Sequence, residues 1–146
     1  MFKRFATGFA ALALLVAPAL ADDGWGGSSE YNQHFNPKTV QTVQGKVIKL
    51  SDSVAPLKGM QPGFVATIQT EAGQAVEVQV GPKWFTNFYH QDWNSKVGDS
   101  VKVTGSLVNI KGRQVLMVTQ GQNGNHKMAI RSRDGQPVWD VKIANF

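Results

Sequence analysis

From Val40 onward the apolar residues recur at every second position in short runs, and this period breaks only once. Val76, Val78 and Val80 fall on one side of a chain whose other side carries Glu77 and Gln79. Such alternation is the mark of a strand buried on one face. Comparable runs cover residues 43–50, 64–70, 75–80, 100–110 and 113–120, with Gly- or Pro-bearing turns between them. Gly45, inside the first run, predicts a bend or a close backbone approach. Lys111-Gly112 predicts a hairpin turn. Asp134-Gly135 predicts a tight hairpin between segments 127–132 and 137–143.

The single break lies between the third and fourth runs. In the stretch from Gly81 to Trp93, the residues Trp84, Phe85 and Phe88 fit one helical stripe, with Tyr89 at its edge. Pro82 suits a first helical position, where its missing N–H would have no partner in any case. Five strands with a helix between the third and fourth predict an all-β fold with one short helix: an OB-fold-like five-stranded Greek-key barrel. A C-terminal hairpin would be added to it. A flat sandwich is the competing architecture, and the position of the lone helix argues against it.

Residues 1–21 differ from the rest. Lys3 and Arg4 precede an apolar run, and Pro18-Ala19-Leu20-Ala21 closes it with small residues. This predicts a signal peptide cleaved after Ala21 and a periplasmic or secreted protein. The run is too short for a membrane span, which needs about 20 apolar residues, so no span is expected in the mature chain. Two of the five formal positive charges lie in this segment, so the working protein is less basic than its whole sequence. Residues 22–39, rich in Gly, Ser and Asn, show neither period and predict a flexible leader that packs Trp25, Tyr31 and Phe35 onto the domain. Residues 40–146 are expected to form the barrel with its hairpin.

The chain has no cysteine, which excludes disulfides, thiol nucleophiles and cysteine-held metal clusters. His34, His90 and His126 show no metal-ligand spacing, and Met60 is the one methionine outside an apolar run that raises a soft-metal question. Neither a nucleophile elbow, nor a carboxylate pair, nor a phosphate loop is present. No catalytic residue, metal site or cofactor is therefore expected. Binding has more to support it. Lys111, Arg113, Lys127, Arg131 and Arg133 crowd into 23 residues with only Asp134 against them. Trp84, Tyr89 and Trp139 could add flat faces beside these cations, the combination that single-stranded nucleic acid requires. An anionic small ligand or an acidic protein would suit the same surface. The bland alternative is a solvated rim with Trp84 and Trp139 in the core.

Several stretches resemble an uncharacterised family of small exported bacterial proteins with an expected OB-like barrel. They include Gly59-Met60-Gln61-Pro62-Gly63, Val80-Gly81-Pro82-Lys83-Trp84-Phe85 and Gly98-Asp99-Ser100-Val101. The last is the closing Arg133-Asp134-Gly135-Gln136-Pro137-Val138-Trp139, where an extra Arg131-Ser132 leaves open which arginine matches. A more distant likeness is to stress-induced periplasmic OB-fold proteins. The resemblance implies no reaction, and a fold of this kind hosts many functions. The sequence thus predicts a non-enzymatic, monomeric periplasmic binding or accessory module. It would take an envelope partner protein or a small anionic ligand, in an envelope redox or stress system as the resemblance implies. Single-stranded nucleic acid is the disfavoured alternative, and copper or zinc handling the second.

Overall fold

The computed structural model describes residues 23–88 and 95–140. The predicted signal peptide, Tyr89, His90 and Trp93 lie outside them.

Six strands form one sheet: β1 (Val40–Val54), β2 (Gly63–Thr70), β3 (Ala75–Pro82), β4 (Ser100–Ile110), β5 (Arg113–Asn123) and β6 (His126–Ala129). Their order is β3-β2-β1-β4-β5-β6, and β3 also pairs with β5 in parallel, Glu77–Gln79 against Val115–Met117. That last pairing closes the first five strands on themselves, which is the Greek-key barrel of an OB fold. β1 is long enough to serve two partners. Its first half pairs with β4, from Val40 opposite Ser106 to Lys46 opposite Ser100. Its second half pairs with β2, beginning at Gly45 opposite Thr70. The crossing point is Gly45, where an added Cβ would lie 2.2 Å from the Gln69 carbonyl oxygen. The close approach expected there has that cause.

Inward side chains of all five strands form the main core. Val43, Val47, Ala66, Ile68, Val78, Val80, Val101, Val103, Leu116 and Val118 are buried together, with Phe85, Met128 and Ile130 beside them. The helix α1 (Lys83–Phe88) follows β3 directly, and Pro82 is the last strand residue and not the first helical one. Phe85 is buried, whereas Trp84 is 53% exposed and so does not share the expected core stripe. The β4–β5 hairpin turns at Lys111-Gly112 as predicted, with φ of 53° and 80°, the two left-handed residues of a type I′ turn.

The leader packs onto the barrel at the three expected aromatics: Trp25 is fully buried, Tyr31 nearly so, and Phe35 lies against them. They pack with Leu57, Ile110, Val115 and Met117 into a second apolar cluster on the outside of β3, β4 and β5. An added Cβ on Gly63 would meet the Trp25 ring at 2.2 Å, so this glycine is the space in which the indole sits. Among the described residues the C-terminal hairpin is short: Arg131 bridges Pro137, Val138 donates to the Ile130 carbonyl and Ser132 to that of Gln136. A 3-10 turn follows at Val138–Asp140, where Trp139 packs on Phe85 and Trp25, and the rest of the predicted second arm lies outside the described residues.

Candidate functional site

The outer face of the barrel divides into two regions with opposite chemistry. The first is covered by the chain itself. Trp25 donates its Nε1–H to the Gln61 carbonyl at 2.8 Å, anchoring the leader to the β1–β2 loop. Tyr31 donates its hydroxyl to Gln79 Oε1 at 2.8 Å, anchoring it to β3. Asn36 accepts from Ser106 Oγ at 2.9 Å and donates to the same oxygen at 3.0 Å, anchoring it to β4. Trp139 donates to the Trp25 carbonyl at 2.9 Å, and its ring lies 5.0 Å from Phe85 and 6.3 Å from Trp25.

Arg131 lies inside this assembly and is only 4% exposed. Its Nε donates to Asn32 Oδ1 at 3.2 Å and its Nη1 to the Val118 carbonyl at 2.8 Å. The guanidinium carbon stands 5.9 Å from the Tyr31 ring centre and 5.2 Å from that of Trp139, so two aromatic faces attract the charge. Nη2 has no partner among the described residues. Burial pulls the Arg131 pKa down, and Tyr31 opposes that pull. Burial also pushes the Tyr31 phenol up to about 12, with Arg131 working in the other direction. Tyr31 passes the contact outward: Gln79 donates to Glu77 Oε2 at 2.9 Å, and Glu77 accepts from Arg113 at 2.5 and 2.6 Å. A buried cation is thereby linked to the solvent edge by a chain of side chains.

The predicted basic patch does not assemble. Arg131 is a buried tie between leader and barrel. Trp139 is half-buried as a clip over Trp25, not a free stacking platform. Arg113 is held by Glu77. Lys111 and Arg113 flank the β4–β5 turn, while Lys127 on β6 pairs beside Gln122 at the far end of β5, roughly 30 Å away along the strand at about 3.4 Å per residue. Arg133 is exposed in the turn that follows Arg131. Trp84 keeps an exposed ring and donates its Nε1–H to Asp23 Oδ2 at 2.9 Å. Tyr89 lies outside the described residues.

The second region is bare. On the outer face of β1, β4 and β6 the exposed lysines Lys46, Lys49, Lys102 and Lys127 stand among Thr42, Gln44, Gln69, Thr104 and Gln120. Lys102 is opposite Gln44 on one side and Gln122 on the other, and Gln122 is opposite Lys127. Among the described residues the ion pairs are Lys83–Asp52 and Arg113–Glu77, so none of these four lysines is in one. Only Lys127 among them was singled out by the sequence reading. The other three are spread along β1 and β4, and only strand pairing brings them side by side. At the end of the barrel next to this face, a groove of about 830 Å³ opens between the first half of β1 and the β2–β3 turn.

Among the described residues no group of His, Asp and Glu could hold a metal ion. His34 Nδ1 lies 3.1 and 3.2 Å from the carbonyls of Glu30 and Tyr31, His126 is exposed, and His90 lies outside the described residues. Met60 packs beside Trp25. No helix among the described residues is long and apolar enough to cross a membrane.

Fold and surface together define a small OB-type barrel carrying a self-covered face and a cationic one. The chain belongs to the MamS/MamX magnetosome protein family, whose model matches residues 39–128. The match spans the barrel from β1 into β6, and the plug residues Trp25 and Tyr31, with the clip residues Arg131 and Trp139, lie outside it. No curated protein matches the chain. Among solved structures, the chain is similar to one from the S. pombe Stn1–Ten1 complex at 12% identity, over 69% of this chain and 79% of that one, with a TM-score of 0.46. It is also similar to the N-terminal domain of PriB from Thermoanaerobacter tencongensis, solved as a dimer, at 18% identity. That likeness covers 59% of this chain and 96% of the other, with a TM-score of 0.38. At such scores the barrel assignment stands on the strand order and the β3–β5 closure.

Proposed function

We propose that the protein is an exported, non-enzymatic accessory module of the magnetosome that binds an acidic partner protein through the lysine face of β1, β4 and β6. Family membership supports the magnetosome setting. The carrying observation is the set of four exposed lysines that form no ion pair among the described residues, on a sheet surface of Thr, Ser and Gln with exposed Val40 and Ile48 among them. Charges held on a rigid sheet without an ion-pair partner raise encounter rates with an oppositely charged surface and select its sign. The face on which OB barrels take oligonucleotides lies over strands 2 and 3 between the first and last hairpin loops. In this chain Trp25 and Tyr31 occupy that region, which weighs against the nucleic-acid alternative.

The test is co-purification from the envelope with the native chain and with a Lys46→Glu, Lys102→Glu, Lys127→Glu variant. An acidic protein retained by the native chain, released by salt and absent from the variant is the expected result. A partner retained equally by both, or lysine-dependent retention of single-stranded oligonucleotide in its place, overturns the reading.

A further inference from the structure

The groove beside the lysine face is bordered by a strand edge that is unpaired among the described residues. β1 pairs with β4 over Val40–Lys46, but its pairing with β2 starts only at Gly45. Residues 40–44 thus have β4 on one side and the groove on the other. The direction of their backbone groups follows from Val47, whose N–H donates to the Asp99 carbonyl at 2.9 Å and whose carbonyl accepts from Gly98 at 2.7 Å, both toward β4. Successive residues of a strand direct these groups to opposite edges. Val43 and Gly45 therefore face β4, and Thr42 and Gln44 face the groove. The Thr42 and Thr104 hydroxyls lie 2.8 Å apart, the close side-chain approach that marks a pair not exchanging backbone hydrogen bonds.

We infer that the groove takes one extended segment of a partner protein, added as a strand to the free edge of β1 at Thr42 and Gln44. This rests on the acidic-partner reading above and specifies how such a partner is held. An edge of five residues, about 17 Å at strand rise, is long enough for two pairs of backbone hydrogen bonds, the source of affinity in strand addition. The side chains alternate in what they ask of the segment. Inward positions face Val43, Val76 and Leu107 in the groove and call for apolar residues. Outward positions continue the row of Thr42 and Gln44, which runs on to Lys46 and has Lys102 one strand behind, opposite Gln44. Among the described residues lining the groove, Lys46 is the cation and Glu71, at the β2–β3 turn, the carboxylate; Lys102 beside Gln44 tips the charge at the outward positions, so residues there should be acidic. A second copy of this chain fits less well. Antiparallel self-pairing about Thr42 would set the two lysine faces edge to edge, Lys46 and Lys102 of each copy beside those of the other, and like charges opposed across strands destabilise a pairing.

The probe is a labelled, acetylated hexapeptide of alternating Asp and Val, followed by fluorescence anisotropy with the full chain. Binding should weaken with salt, and the Thr42 and Gln44 amides should gain protection from hydrogen exchange. Thr42→Pro removes one outward donor at an edge position where proline is tolerated. It should weaken binding about tenfold, the scale of one or two lost hydrogen bonds. The same peptide N-methylated at alternate residues should weaken at least as much, and this arm does not depend on a variant folding. Absence of peptide binding, or equal binding of the methylated peptide, overturns strand addition. Capture of an acidic protein that still depends on Lys46, Lys102 and Lys127 would then leave the broader reading standing. Lysine-independent capture would remove that reading whatever the peptide does.

Discussion

The covered and the bare halves of the barrel surface are built from the same strands and differ in what stands on them. On β5 the outward residues Val115 and Met117 are apolar and lie beneath the leader, while farther along the same strand Gln120 is exposed. On β1 as far as Lys49 and on the first half of β4 the outward residues are Thr, Gln, Ser and Lys with exposed Val40 and Ile48 among them, whereas the second half of β4 lies under the leader with Val108 and Ile110. The covered half therefore contributes to the fold and its free energy, and the bare half contributes charge and an open edge at little cost to either. A surface that carries stability is a poor place for an exchangeable ligand. A surface that carries none is free to have one.

Substitutions should separate the two halves by size of effect. Trp25→Ala should be the most damaging, at about 3–5 kcal/mol, because it empties a fully buried indole site next to Gly63; denaturant unfolding measures it. Survival of the native midpoint would mean that the leader is not part of the cooperative unit. Arg131→Ala should follow at about 2–4 kcal/mol, since it leaves Asn32 Oδ1 and the Val118 carbonyl without their donor and opens space between two rings. Arg131→Met should cost less, because the side chain keeps its volume and the burial of a charge is relieved.

Alkaline pH provides a third comparison. The Tyr31 phenol is raised from 10 to about 12 in the folded chain. The unfolded chain therefore loses this proton first. The stabilisation is whole below pH 10, declines as pH rises from 10 to 12 and is gone above 12, by about 1.4 kcal/mol per pH unit at most. Tyr31→Phe should flatten that decline, while costing about 1–2 kcal/mol at neutral pH through the lost bond to Gln79. An unchanged alkaline slope in Tyr31→Phe would show that another group causes it. The smallest effect belongs to the bare half. Lys46→Ala with Lys102→Ala should move stability by no more than about 0.5 kcal/mol while lowering partner retention. A large loss of stability would show that these lysines belong to the fold.

The strands, the helix position and the Lys111-Gly112 turn were legible in the sequence because each depends on neighbours a few residues apart. The buried plug was legible in part: the sequence predicts that Trp25, Tyr31 and Phe35 pack on the domain, but not their place on it. Its one local signal was Val115-Leu116-Met117-Val118, a continuous apolar run on β5 where alternation should have held. Such a run means a strand covered on both faces. Nothing near it in the chain says that β5 is the strand on which Trp25 and Tyr31 come to lie.

Arg131 shows the same limit from the other side. Five cations in a short stretch read as one patch, yet β5 carries Arg113 to one end of the barrel, and the chain turns Arg131 inward between two rings. The sequence by itself determined an OB-type barrel, through the periodicity of its strands and the single helical break. Only the tertiary structure decided which cations are buried, which are paired and which stand free beside an open edge. Alternation records which side of a strand is apolar, whereas the identity of what covers it depends on residues brought together from distant parts of the chain.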